Sequence, residues 1–72
     1  MDAEVVVEDC LSVRERECLQ AMADCGDAQR AAQRLGVSVR TVHNELASVR
    51  AKLGVGTTLE AVVWALRRGL VQ

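Results

Sequence analysis

Asp27-Ala28-Gln29-Arg30-Ala31-Ala32-Gln33-Arg34-Leu35-Gly36-Val37-Ser38-Val39-Arg40-Thr41-Val42-His43-Asn44 is the stretch whose reading decides the fold. Asp27 is a good N-cap, because its carboxylate can accept an amide hydrogen that the first helical turn leaves unpaired. A short helix from Ala28 to Leu35 then places Ala31, Ala32 and Leu35 on one side, and Gly36 ends it. Ser38 caps a new helix at once, so only Leu35-Gly36-Val37-Ser38 separates the two. The small Ala31 and Ala32, one turn earlier, let the helices approach closely. Two helices joined this tightly make a helix-turn-helix arrangement.

The helix that follows Ser38 can run from Val39 to Leu53, with Gly54 as its stop signal. At ~100° per residue, Val39, Val42, Leu46, Val49 and Leu53 fall on one narrow arc facing the core. The opposite arc holds Arg40, Asn44, Ala47, Ser48 and Ala51. His43 and Arg50 flank it on one side, and Thr41, Glu45 and Lys52 on the other. Small and polar residues suit a helix that must enter a DNA groove, although they also describe an ordinary solvated face.

Working outward, Ser12 and Glu15 have the spacing of a capping box, which starts a first helix at Val13 that continues to about Asp24. Cys18, Leu19 and Met22 share its apolar face, and Gly26 can close it. Thr57 and Glu60 form a second capping box, for a fourth helix from about Thr58 to Arg68 that stops at Gly69. Leu59, Val62, Val63, Leu66 and Leu70 are expected as its core face. Trp64 then projects outward with Ala61, Ala65 and Arg68, which suggests a subunit contact, because aromatic residues are enriched there. The fold class is all-α with four helices over residues 11–72. Residues 1–10, with four acids around Val5-Val6-Val7, are expected as a flexible acidic arm.

Seventy-two residues make one domain, too small for a deep catalytic cleft. The chain has no Pro, Phe or Tyr and a single Trp, so aliphatic helices are favoured over strands. His43 is the only histidine, and no cysteine or serine has a base and an orienting group placed around it, so an enzyme is not expected. No cofactor, metal or small-molecule ligand is expected either: Cys10, Cys18 and Cys25 lack metal-ligand spacing and read as reduced, mostly buried residues. With no apolar run of membrane length and acids where a signal peptide carries bases, the protein is expected to be soluble and cytoplasmic. The net charge of −1 conceals an asymmetry. Residues 1–27 hold eight acids against two bases, and the remainder holds seven bases against two acids. A basic C-terminal part suits a polyanionic partner.

These residues resemble the LuxR-type helix-turn-helix domain of bacterial regulators. The resemblance spans Leu11 to about Val71, through Leu11-Ser12-Val13-Arg14-Glu15-Arg16-Glu17-Cys18-Leu19, Ala32-Gln33-Arg34-Leu35-Gly36-Val37-Ser38, Thr41-Val42-His43-Asn44, Lys52-Leu53-Gly54-Val55 and Glu60-Ala61-Val62. It implies double-stranded DNA as partner, the third helix in the major groove, the second across the backbone, and the fourth as a frequent dimer contact. On this basis Arg40, His43, Asn44 and Ala47 are expected to read bases, and Ser38, Thr41, Arg50 and Lys52 to hold phosphates. Ala61, Trp64, Ala65 and Arg68 are expected to form a homodimer contact. The chain departs from the family pattern at Arg30, where Glu is usual, at Ala31, where a larger aliphatic is usual, and at His43 and Glu45, usually Lys and His. Losing a base and gaining an acid weakens phosphate attraction. Region 4 of a sigma factor shares the opening helix and turn but lacks a counterpart to the Gly54-to-Val71 segment. The alternative from another class is a protein-interaction module that keeps the fold without DNA binding. The length suits a free-standing domain and equally the C-terminal domain of a larger regulator.

Overall fold

A computed structural model describes residues 10–72; the arm expected over residues 1–10 lies outside them except for Cys10. Ser12 accepts from the Glu15 amide while Glu15 accepts from the Ser12 amide, so the capping box forms and starts α1, Val13–Cys25. Asp27 accepts from the Arg30 amide and starts α2, Ala28–Leu35. Ser38 and Thr57 do the same for α3, Val39–Leu53, and α4, Thr58–Arg67. Among the described residues there is no strand. The all-α, four-helix reading stands, with the boundaries of α2 and α3 as expected and those of α1 and α4 shifted by one residue.

α2 ends at Gly36, whose φ of 71° and ψ of 32° lie in the left-handed region that a Cβ disfavours. Its amide and that of Val37 turn back onto the last carbonyls of α2, which leaves Ser38 extended and ready to cap α3. α1 and α3 form the centre, with α2 packed against both on one side and α4 against both on the other, while α2 and α4 do not touch.

The core consists of Cys18, Leu19 and Ala21 of α1, Ala31 and Ala32 of α2, Val42, Leu46 and Val49 of α3, and Ala61 and Ala65 of α4, closed by Leu11 and Val71. Each large aliphatic among them contributes about 1.5–3 kcal/mol by leaving water. The C-terminal segment folds back: the Gln72 amide donates to Gln20 Oε1 at 3.1 Å, and Gln20 Nε2 donates to the Gln72 carbonyl at 3.1 Å. This clasp holds Val71 against the core.

Two expectations are corrected here. The first concerns α4, which is rotated by more than a third of a turn, so that of the expected face only Val62 and Leu70 still pack on the core. Ala61 and Ala65, expected outside, are fully buried, and Leu59, Val63 and Leu66, expected inside, are 72%, 37% and 46% exposed. The space beside α1 and α3 admits a helix only at close approach, and alanines permit that where leucines do not. The second concerns the cysteines, all of them free: Cys18 alone is buried, Cys25 is partly exposed and Cys10 exposed.

Candidate nucleic-acid interface

The residues of α3 divide by its period. Val42, Leu46 and Val49 are buried, with Val39 and Leu53 half-buried beside them. Arg40, His43, Asn44, Ala47 and Ala51 are exposed. The four positions expected to read bases therefore share one solvent face of a helix anchored by its opposite side. Arg40, His43 and Asn44 make no side-chain hydrogen bond or ion pair among the described residues, so their donors and acceptors are open to a ligand. On α2, Arg30 lies 3.6 Å from Asp27 and Arg34 pairs with Asp24 at 2.8 Å.

The expected phosphate-holding residues are arranged differently. Ser38 Oγ accepts from the Thr41 amide at 3.0 Å and donates to Thr41 Oγ1 at 2.9 Å, which fixes the N-terminus of α3. Arg50 Nη1 donates to Thr58 Oγ1 at 2.9 Å and so ties α3 to the start of α4. Lys52 Nζ reaches back to α1, donating to Glu15 Oε1 at 2.9 Å and to the Cys10 carbonyl at 2.8 Å. Arg50 and Lys52 are thus joints between helices as well as sources of positive charge.

Glu15 is the residue that sequence reasoning placed only as a cap. It is 3% exposed and gathers three donors: Lys52 Nζ at 2.9 Å, which also supplies the countercharge, Ser48 Oγ at 2.5 Å and the Ser12 amide at 2.7 Å. Burial raises its pKa, but the hydrogen bonds from Ser48, Lys52 and Ser12 and the Lys52 charge outweigh it, so the carboxyl titrates below the usual glutamate range. Ser48, expected on the outward arc, is drawn to this carboxylate and is half-buried. A donor-bearing Ser48 and Lys52 on α3, one turn apart, were the available signal for a buried acid on α1. Burial pushes the Cys18 thiol up, and Glu45 adds to that, so Cys18 stays a protonated apolar core group.

On α4, Trp64 is half-buried and the Arg68 guanidinium stacks 4.4 Å from its ring centroid. The four residues expected to form a dimer contact are therefore split: Ala61 and Ala65 belong to the core, and Trp64 and Arg68 border the exposed apolar ridge of Leu59, Val63 and Leu66. No group of metal-ligating side chains occurs among the described residues, and no helix there is long and apolar enough to cross a membrane.

A four-helix domain that presents a polar helix face immediately after a left-handed glycine turn falls in the helix-turn-helix class of DNA-binding domains. The GerE profile, described as bacterial regulatory proteins of the luxR family, matches residues 9–65. The chain belongs to the LuxR family of bacterial regulatory proteins, whose helix-turn-helix domains are DNA-binding transcription regulators and typically not enzymes. A search of curated proteins found no match to it.

Proposed function

We propose that the domain binds a specific DNA site with α3 in the major groove and pairs through α4 on an inverted repeat. The observation that carries the reading is the exposed row of Arg40, His43, Asn44 and Ala47 on the helix that follows the Gly36 turn. Asn44 can make paired hydrogen bonds to adenine, Arg40 can contact guanine or phosphate, His43 can reach bases or backbone, and the Ala47 methyl can meet a thymine methyl. The Ser38 end of α3, Thr41, Arg50 and Lys52 hold the backbone. Lys52 has three N–H donors and uses two internally, which leaves one for a phosphate oxygen.

Pairing is assigned to Leu59, Val63 and Leu66, with Trp64 and Arg68 at the edge, because this ridge is the apolar part of α4 that the core leaves outside. A two-fold contact there sets two α3 helices about one DNA turn apart, roughly 34 Å. Selection of bound fragments from random duplexes tests the reading. Asn44→Ala should lose about 1–3 kcal/mol at one base position, and an unchanged preference removes Asn44 from the reading set. The double variant Leu59→Ser with Val63→Ser should lose cooperative binding to a two-half-site probe and keep single-half-site binding. The net charge of −1 and the apolar ridge favour a second reading, an interaction module for another regulator. Absence of salt-dependent DNA binding together with hetero-association would select it.

A further inference from the structure

The apolar ridge of α4 carries an acid and a base along one edge. Glu60 and Arg67 are both exposed, and they line one open groove of about 630 Å³ together with Leu59, Val63 and Trp64. Each has bonding capacity left over. The Gly56 and Thr57 amides, both at 3.0 Å, and the Thr57 hydroxyl, at 3.2 Å, all donate to Glu60 Oε1, so capping α4 leaves Oε2 without a hydrogen bond among the described residues. Arg67 makes no hydrogen bond or ion pair with any of those residues. The two do not meet within one chain, because seven residues set them about 10 Å apart along the helix axis. Seven residues are also two turns less about 20°, which puts both charges on the same flank of the Leu59, Val63 and Leu66 ridge.

We propose that two copies pair with their α4 helices antiparallel, the Arg67 guanidinium of each meeting Glu60 Oε2 of the other, and that this doubled charge contact selects a second copy of this chain as the partner. The charge contact rests on the pairing reading above and fixes its direction. A two-fold axis perpendicular to the plane of two antiparallel helices keeps each flank on its own side and reverses its length, so position 60 of one copy falls beside position 67 of the other. The midpoint of that exchange lies between Val63 and Trp64, within the span of the exposed ridge, so apolar residues close the centre while the charges close the edge. A parallel pair would instead set Glu60 against Glu60 and Arg67 against Arg67. Exposed ion pairs add little affinity, but opposed like charges are costly, so these contacts act on the choice of partner and orientation.

Cooperativity, the ratio of affinities for a two-half-site and a single-half-site duplex, is measured at low salt on the full chain. Arg67→Glu brings like charges together at both contacts and should lower it about tenfold. Glu60→Lys should do the same. An equal mixture of the two variants should recover it, because a mixed pair again has opposite charges at both contacts. Glu60→Lys gives up the capping carboxylate, so urea denaturation first checks that it folds. Should it not fold, Arg67→Glu combined with Glu60→Gln keeps an oxygen for the cap, removes the repulsion and should regain about threefold of the loss. Undiminished cooperativity in Arg67→Glu, or a loss that neither the mixture nor Glu60→Gln repairs, overturns the charge contact. If Leu59→Ser with Val63→Ser abolishes cooperativity while Arg67→Glu leaves it intact, α4 still pairs and the charge contact alone falls. Cooperativity that survives the ridge double variant removes the pairing reading as well.

Discussion

α3 and α4 are neighbours that solve opposite packing problems. α3 turns Val42, Leu46 and Val49 inward and presents Arg40, His43, Asn44 and Ala47. α4 turns Ala61 and Ala65 inward and presents Leu59, Val63 and Leu66. In α3 the hydrophobic residues anchor the helix to its own domain, whereas α4 holds on by close approach and leaves much of its apolar surface outside. Hydrophobicity alone therefore does not decide which face is buried; the space between α1 and α3 does. The difference also separates two jobs. A helix that must be held at a fixed angle in a groove needs strong anchorage, and one that meets a protein surface needs apolar area in reserve.

The comparison breaks most readily at its anchors. Leu46→Ala should cost about 2–5 kcal/mol, enough to leave a domain of this size near its unfolding midpoint. Leu59→Ala should cost no more than about 0.5 kcal/mol, as expected for a surface position. Urea denaturation of the two variants checks this, and equal losses would mean that Leu59 belongs to the core after all. The reciprocal change sharpens it. Ala65→Leu forces three extra carbons against α1 and α3 and should cost about 1–3 kcal/mol, where Val63→Leu on the outer side should change stability little.

The same contrast explains what was legible in the sequence. α2, α3 and the turn between them were readable because their signals agree: Asp27 and Ser38 cap, Gly36 takes the left-handed turn, and α3 has one apolar arc and one polar arc. The exposed row of the candidate site followed directly from that period. α4 has apolar residues around most of its circumference, so periodicity offers several faces and chooses none. Weighting by side-chain size selected the leucines, when the packing required the alanines. Glu15 was only partly legible for a related reason. Its capping role was visible three residues from Ser12, but its contacts with Ser48 and Lys52 span 33 and 37 positions and depend on how α1 crosses α3.

That crossing supplies a pH-dependent test of how α3 is held. Glu15 titrates below the usual glutamate range in the folded chain. Its contribution is therefore fully present above the unfolded-chain range and is lost as pH falls through the lower native value, because the unfolded state takes up the proton first. Glu15→Gln should cost about 1–2 kcal/mol at pH 7, a figure reduced for the solvent screening of Lys52, whose side chain is 38% exposed. The variant should also show a shallower decline of stability towards acid than the unaltered chain. Urea midpoints between neutral and acidic pH measure both. A parallel decline in the two proteins would show that other carboxylates set the acid limb and that Glu15 acts only as a cap.

The smallest expected effects lie at the N-caps, where α3 and α4 differ again. Thr57 works in a full capping box, and Glu60 goes on accepting from the Gly56 and Thr57 amides when the Thr57 hydroxyl is removed. Ser38 has no such support: its hydroxyl alone accepts from the Thr41 amide, and it also donates to the Thr41 hydroxyl. Ser38→Ala should therefore cost about 1 kcal/mol and Ser38→Gly only a few tenths, since glycine leaves room for water to replace the cap. Thr57→Ala should cost less than Ser38→Ala, although threonine and serine caps are otherwise comparable. Paired urea titrations decide between them. The DNA readout separates the ends further, because Ser38 and Thr41 sit where α3 is proposed to meet a phosphate. Ser38→Ala should weaken all DNA sites alike, as the loss of a positioning contact does, and Thr57→Ala should leave single-half-site binding unchanged. If Thr57→Ala is the more damaging of the two to single-site binding, the division of labour between the helices is wrong, and α4 rather than α3 governs the DNA contact.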